Sequence, residues 1–530
     1  MKRSDGGAVV AAATKLLAGG GCPAVSRRGF LAGCAACVAG ATGLAARVAA
    51  ATGAGDDRKL KIRLAFCHTT PDVIVWPNIG YDYEGRGNQL LAQLAPLCPE
   101  AEFLPVRVLD AKQAAQVMAA DKEVDGYLVY VLGMRGGADA LTAALGKAGR
   151  PMVVVEDHFC GPFSLGFNGR AAKAGWKAVC LATSRLQDVA DAVHCLQIMR
   201  KPGATADDFL ATARAVYKKN LAPMGDMTCA ADPVPQCDVG KCIERLKAST
   251  IVVVGRDPGG LTKAILDEFG GKVVPIKHEE LNAAFLKADP AEAAARADRW
   301  MKGAEKMLEA TRDDVVKAGA MHLAMQDVMK KYDARAITIN CLGGFYTGAL
   351  QAFPCLGFVE FNNEGLVGGC EADLQSAITM LAVGTLTGRP GYISDPVIDT
   401  SNHQIIYAHC VAPTKVFGPE GPANPYHIRS HSEDRRGAAI RSILPLGYMV
   451  TSLKFIPGRR EAVLHQAKTM ANVDVDNACR TKLAAEVKGD INKLFSTWSN
   501  GWHRVTFYGD LKEPIAELAK ALKITIIQEA

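Results

Sequence analysis

A chain of 530 residues, 49% hydrophobic and 22% charged, has ordinary globular composition and is long enough for about three domains with large cores. Most of its net charge of +6 sits in the first fifty residues, whose six Lys/Arg and single Asp leave the body at +1. A basic surface of nucleic-acid-binding type is therefore not implied, and beyond the first fifty residues no apolar run is long enough to span a bilayer.

Residues 1–50 read as a twin-arginine signal peptide. Ser26-Arg27-Arg28-Gly29-Phe30-Leu31 precedes the weakly apolar LAGCAACVAGATGLAA and a small-residue site near Val48-Ala49-Ala50. The expectation is export by the twin-arginine translocase to the periplasm or beyond, with lipidation at Cys34 ranked second. Thirteen cysteines remain in the body, scattered and without a Cys-x-x-Cys pair, so neither a zinc knuckle nor a redox motif is indicated. Contexts such as AVCLA and TINCL predict buried free thiols.

A first α/β domain is expected over 56–170. LKIRLAFC, VDGYLVYVLG and PMVVVEDHF read as buried strands, and AKQAAQVMAA as a helix between earlier strands, an alternation that implies a mostly parallel sheet. VIVWPNIGYDYEGRGN (Val73–Asn88) is long for a connector and reads as a packed surface loop or a binding loop. A second α/β domain is expected over 171–390. Two helices span Arg185 to Lys219, and STIVVVGRDPGG followed by LTKAILDEFG gives strand, tight turn and helix without the dinucleotide fingerprint. Pro290 to Lys331 is a long amphipathic helical region, and ARAITINCLGG returns to the sheet.

The stretch from Cys370 to Cys410 carries the chemistry. Glu371 and Asp373 open a helical pattern (Leu374, Ile378, Leu381) that Gly388 and Pro390 stop; Asp395 precedes a proline; the strand-like HQIIYAHC carries His409. Two carboxylates and an imidazole delivered by three element ends suit a divalent cation with open positions. Each residue also has a structural reading: an acid as a dipole partner, Asp-Pro as a turn, a histidine as a satisfied strand end. A β-rich domain, a small barrel or sandwich, is expected over 391–530 from AAIRSILPL, GYMVTSLKFIPG and HRVTFYGD. A helix (Pro514–Leu522) and the strand ITIIQ close the chain.

CEADLQSAITMLAVGTLTGRP, the following Asp-Pro, AHCVAP, YHIRSH and GWHRVTFYGD, in that order, resemble the L-fucose isomerase and L-arabinose isomerase superfamily, closest to its fucose-isomerase-like branch. The resemblance runs from about Leu60 onward. It implies two Rossmann-like α/β domains followed by a β-barrel domain, a homo-oligomer (trimer or hexamer), and aldose–ketose interconversion with a divalent ion, commonly Mn²⁺. It places the metal ligands on Glu371, Asp395 and His503, with His409 as the ligand that the arabinose branch adds. Glu371 and Asp395 double as the proton-transfer pair through a cis-enediol. His431 and Arg435 are candidates for sugar contacts, Asp373 for support of a ligand, and Glu360 and Glu364 have no family role. The export signal departs from the cytoplasmic members and points to an unusual sugar or derivative. Rival readings are an exported sugar-binding protein without turnover, and an epimerase or lyase using the same enediolate.

Overall fold

Continuous Val/Ile/Leu runs without polar alternation are what a parallel sheet buried on both faces requires. The computed structural model describes residues 58–530 apart from Lys122, Gln236 and Cys237. The twin-arginine leader and Cys34 lie outside the described residues.

The first sheet joins β1 (Leu60–Cys67), β2 (Ala101–Val108), β3 (Gly126–Val131), β4 (Met152–Glu156) and β5 (Ala178–Leu181), all parallel, in the order β2-β1-β3-β4-β5. The order reverses direction beside β1, and the segment leaving the carboxyl end of β1 therefore emerges where open α/β sheets place their ligands. That segment is shorter than expected. Asp82 caps a helix over Tyr83–Leu94 by accepting from the Gly85 amide, so the loop ends six residues before Asn88.

The second sheet joins β6 (Thr250–Val254) and β7 (Lys272–Ile276) with two later strands. The region from Pro290 to Lys331 is two helices, Pro290–Gly303 and Arg312–Lys331, separated by a short strand β8 (Lys306–Met307). Thr311 and Asp314 form a reciprocal capping box that starts the second helix afresh, which amphipathic periodicity alone could not reveal. Then β9 (Ala336–Ile339) and β10 (Val367–Gly369) complete the parallel order β10-β9-β6-β7.

The C-terminal region builds β11 (Gly391–Asp399), β12 (Gln404–His409), β13 (Tyr426–Arg429), β14 (Ala439–Ser442), β15 (Met449–Ile456), β16 (Glu461–Asn472), β17 (Thr481–Val487), β18 (Arg504–Tyr508) and β19 (Thr525–Gln528). Strands β15-β18-β11-β12-β17-β16 close on themselves through β15–β16, giving a six-stranded antiparallel barrel with β19 added in parallel to β16. Closure removes the free edges that an open sheet would expose. β13, β14 and β8 form a separate small sheet. Between the second sheet and the barrel lies the helix Leu374–Thr387, whose buried residues (Leu374, Ile378, Met380, Leu381, Val383 and Leu386 among them) surround its axis. A helix apolar all round is one packed on all sides.

The candidate cation centre

Glu371 follows β10 at the carboxyl end of the second sheet. It lies before the helix, not in its first turn: Glu371 and Ala372 take φ +62° and +48°, left-handed conformations that non-glycine residues adopt at a cost. The helix N-cap is Asp373, which accepts from the Ser376 amide at 3.1 Å and the Ser376 hydroxyl at 2.6 Å.

Asp395 sits inside β11, where the Asp-Pro pair suggested a turn. Through Ser394 the strand pairs with β18, and from Asp395 onward with β12. Pro396 thus falls where β18 has ended and no amide is demanded on that edge, so a central strand tolerates it. One step beyond the Ser394–Arg504 pair lies His503, just before β18, opposite Asp395. His409 ends β12.

These four side chains converge. His503 Nε2 is 3.1 Å from Asp395 Oδ1 and 3.5 Å from Glu371 Oε2. His409 Nε2 is 3.8 Å from Glu371 Oε1 and 3.9 Å from Asp395 Oδ2. The side chains of Asp395 and His409 are 3% and 2% exposed, against 29% for Glu371, which leaves Glu371 facing the opening. His409 Nε2 is buried without a hydrogen-bond partner, and Asp395 Oδ1 has only His503 Nε2 within reach. Buried polar atoms are ordinarily paired, and an unpaired one beside two carboxylates fits a site that takes a ligand.

Three carboxylates surround His503. Its Nδ1 lies 2.9 Å from Asp373 Oδ2, which also receives Lys454 Nζ at 3.1 Å. Burial works against ionisation of Asp373, but Lys454, His503 and Ser376 outweigh it and hold that carboxyl well below its usual range. Burial likewise lowers His503, yet Glu371, Asp373 and Asp395 together raise it well above the ordinary imidazole value. Burial raises Glu371, as does Asp395, while His503 opposes them. A field that negative draws in a cation. Two carboxylates and the Nε2 of a carboxylate-supported imidazole, from which a cation can displace a proton, suit Mn²⁺ or a similar oxygen-preferring ion. Asp395, His409 and His503 offer atoms within 4.8 Å of one another, as do Cys370, Glu371 and His409, so the donor set fits a divalent cation.

The other singled-out residues have partners of their own. His431 bonds Asp434 through Nδ1 at 3.0 Å and packs against Phe345 and Phe353; burial opposes its protonation, but the bond to Asp434 carries it up to about 9. Arg435 pairs with Asp476, the carboxylate that Arg429 and Arg480 also share. Glu360 receives the Trp300 indole and Arg299. Sequence reasoning passed over Glu433, a neighbour of His431. Burial, then the nearby Glu371 and Asp395 carboxylates, push it up to about 8, and His431 opposes them; the Tyr346 hydroxyl lies 3.4 Å away.

The segment after β1 covers this region. Ile79 donates its amide to the Glu433 carbonyl at 2.7 Å, the Pro77 carbonyl accepts from the Ala478 amide at 2.9 Å, and Tyr346 donates to the Ile74 carbonyl at 2.6 Å. Trp76 meets Trp502 edge-on with centroids 4.9 Å apart, and Trp502 stacks on His503 at 6.2 Å. A cavity of about 720 Å³, lined by Arg245, Arg335 and Arg389, opens elsewhere, at the C-terminal end of the helix Leu374–Thr387. The twelve described body cysteines are free thiols, eleven of them buried.

Fold and cluster together define a mixed α/β scaffold with a closed barrel and a candidate cation centre at its mouth. No family model matches the chain. Among curated proteins it is similar to sulfoquinovose isomerase of Clostridium sp. (strain MSTE9), 24% identical over 318 residues, covering 54% of this chain and 66% of that one. It is also similar to sulfoquinovose isomerases of Alkalicoccus urumqiensis (27% over 184 residues; 32% and 40% covered) and Priestia megaterium (23% over 302 residues; 54% and 66%). The chain thus spans just under two thirds, or less, of these relatives' length.

Proposed function

We propose that this protein is a cation-dependent aldose–ketose isomerase, with sulfoquinovose the first substrate to test. The observation that carries the reading is the convergence of Glu371, Asp395 and His503, at the distances given, in a chain similar to sulfoquinovose isomerases. A divalent cation, Mn²⁺ by the donor set, would polarise the sugar carbonyl and offset charge on O1 and O2. Glu371, Asp395 and His503 would hold it.

The chain's own groups carry the proton. Glu371, raised by burial and by Asp395 and the most exposed of the four, is suited to take a proton from one of C1 and C2 and return it to the other through a cis-enediol. Asp395, buried on β11, shares both imidazoles with it. Asp373 and Lys454 keep His503 oriented. Trp76 and Trp502 exclude water from one side.

Incubating the Mn²⁺-loaded protein with sulfoquinovose and a panel of aldoses in D₂O, followed by NMR, tests the reading. Ketose product with deuterium at C1 or C2 supports it; no exchange and no ketose from any sugar refutes it. Export by the twin-arginine translocase, with action outside the cytoplasm, belongs to the same proposal and rests on the SRRGFL motif and the apolar run after it. Retention of the Arg27→Lys/Arg28→Lys variant in the cytoplasm, with wild-type export, checks it. A homo-oligomer is part of the reading too, checked by light scattering.

A further inference from the structure

We infer that the two histidines of the cluster hold opposite tautomers and do different work: His503 offers a bare Nε2 to the cation, whereas His409 presents an Nε2–H that donates a hydrogen bond to an oxygen of the bound sugar. This rests on the isomerase reading and departs from the ligand role that the arabinose branch implies for His409.

The assignment follows from what each Nδ1 faces. Asp373 Oδ2, 2.9 Å from His503 Nδ1, is a carboxylate oxygen already receiving Lys454 and the Ser376 hydroxyl, and it has no proton to give. The proton of that contact therefore sits on Nδ1, and Nε2, facing Asp395 and Glu371, is the nitrogen that gives up its proton when a cation binds. At His409 the polarity is reversed. The Cys410 amide donates to Nδ1 at 2.9 Å, and a backbone amide can only donate. Nδ1 is the acceptor, so the proton of the neutral ring is on Nε2.

For His409 to ligate through Nε2, that proton would have to move to Nδ1 and face the Cys410 N–H across the same 2.9 Å. The backbone offers little relief. His409 is paired with Thr481 on β17, and Cys410, which follows it, is buried. The result is a buried N–H, without a hydrogen-bond partner, 3.8 and 3.9 Å from the two carboxylates between which the sugar's reacting carbons would lie. An isomerisation that shifts the carbonyl between C1 and C2 shifts charge between O1 and O2, and a fixed N–H donor at that point is matched to one of those oxygens.

Manganese binding followed by the EPR signal of free Mn²⁺, with steady-state kinetics on the same preparations, separates the roles. His503→Gln should weaken Mn²⁺ binding by at least about 10-fold. His409→Ala should leave Mn²⁺ affinity within about 3-fold of wild type and lower kcat/KM by about 100-fold. His409→Gln, whose side-chain amide restores an N–H donor, should recover part of that loss, which a merely structural role would not produce. His409→Ala weakening Mn²⁺ as much as His503→Gln overturns the inference and leaves the isomerase reading standing. Unchanged kcat/KM in His409→Ala overturns the donor role. Should neither His503→Gln nor Glu371→Gln weaken Mn²⁺ binding, the cation centre itself fails.

Discussion

Two clusters of histidine and carboxylate lie within the same barrel and are finished differently. At its mouth, His409 Nε2 is buried and unpartnered, and Asp395 Oδ1 meets only His503. Among the barrel strands, His465 bonds Tyr407 and Glu529, each at 2.9 Å, and Glu529 binds Arg504 at 2.5 Å. Arg504 further donates to the carbonyls of Ser499 and His503, and its guanidinium lies 4.0 Å over the Trp498 ring. Burial raises the Glu529 carboxyl, but Arg504 and His465 carry it down to about 2. The inner cluster has its polar atoms matched and reads as framework. The outer one keeps an unsatisfied imidazole nitrogen under the same low dielectric, which proteins tolerate where something else is to bind.

Breaking the outer cluster should cost turnover and spare the fold. Glu371→Gln is expected to lower kcat by about 10³-fold or more, with an unchanged circular dichroism spectrum. The inner cluster should answer in the opposite sense. Glu529→Gln leaves Arg504 buried without its counter-charge and should cost about 3 kcal/mol in denaturant unfolding, while kcat per folded molecule stays near wild type. That contrast sharpens with pH. A carboxyl whose usual value of 4.5 is lowered to about 2 on folding contributes stability that is complete above about pH 4.5 and fades as pH falls toward 2. Glu529→Gln should flatten the fall over that window.

Asp373 stands between the clusters in kind. Asp373→Asn keeps the N-cap but removes the charge that Lys454 and His503 share, and it should weaken Mn²⁺ affinity by about 10–100-fold in a metal titration. The smallest effect belongs to Ser376→Ala, which deletes one hydrogen bond to Asp373 and should cost about 1 kcal/mol of stability with little change in turnover.

Much of this was legible in the sequence, and the rest has identifiable reasons for being hidden. Parallel strands announced themselves because burial on both faces demands unbroken apolar runs such as IVVV and VVV. Glu371, Asp395 and His409 stood out by residue type within forty positions, but His503 came only from resemblance, since its pairing with Asp395 depends on barrel closure across more than a hundred residues. Asp395-Pro396 suggested a turn because local propensity cannot know that β18 stops one residue earlier. The tautomer of His409 depends on a backbone amide, which every residue but proline carries and no side-chain pattern records. Lys454 and Glu433 belong to strand and loop segments with no local mark of function.

Val73–Asn88 could be read only as a loop of uncertain purpose, and its course has a practical meaning. The segment that leaves the first sheet after β1 carries Trp76 onto Trp502, itself against His503, so the cluster is flanked by a part of the chain remote from every proposed ligand. Under the proposed isomerase reading, sugar preference could drift by rebuilding that flank while the acids and imidazoles stay as they are, and grafting the stretch from His68 to Asp82 between relatives is a direct way to exchange one tolerance for another.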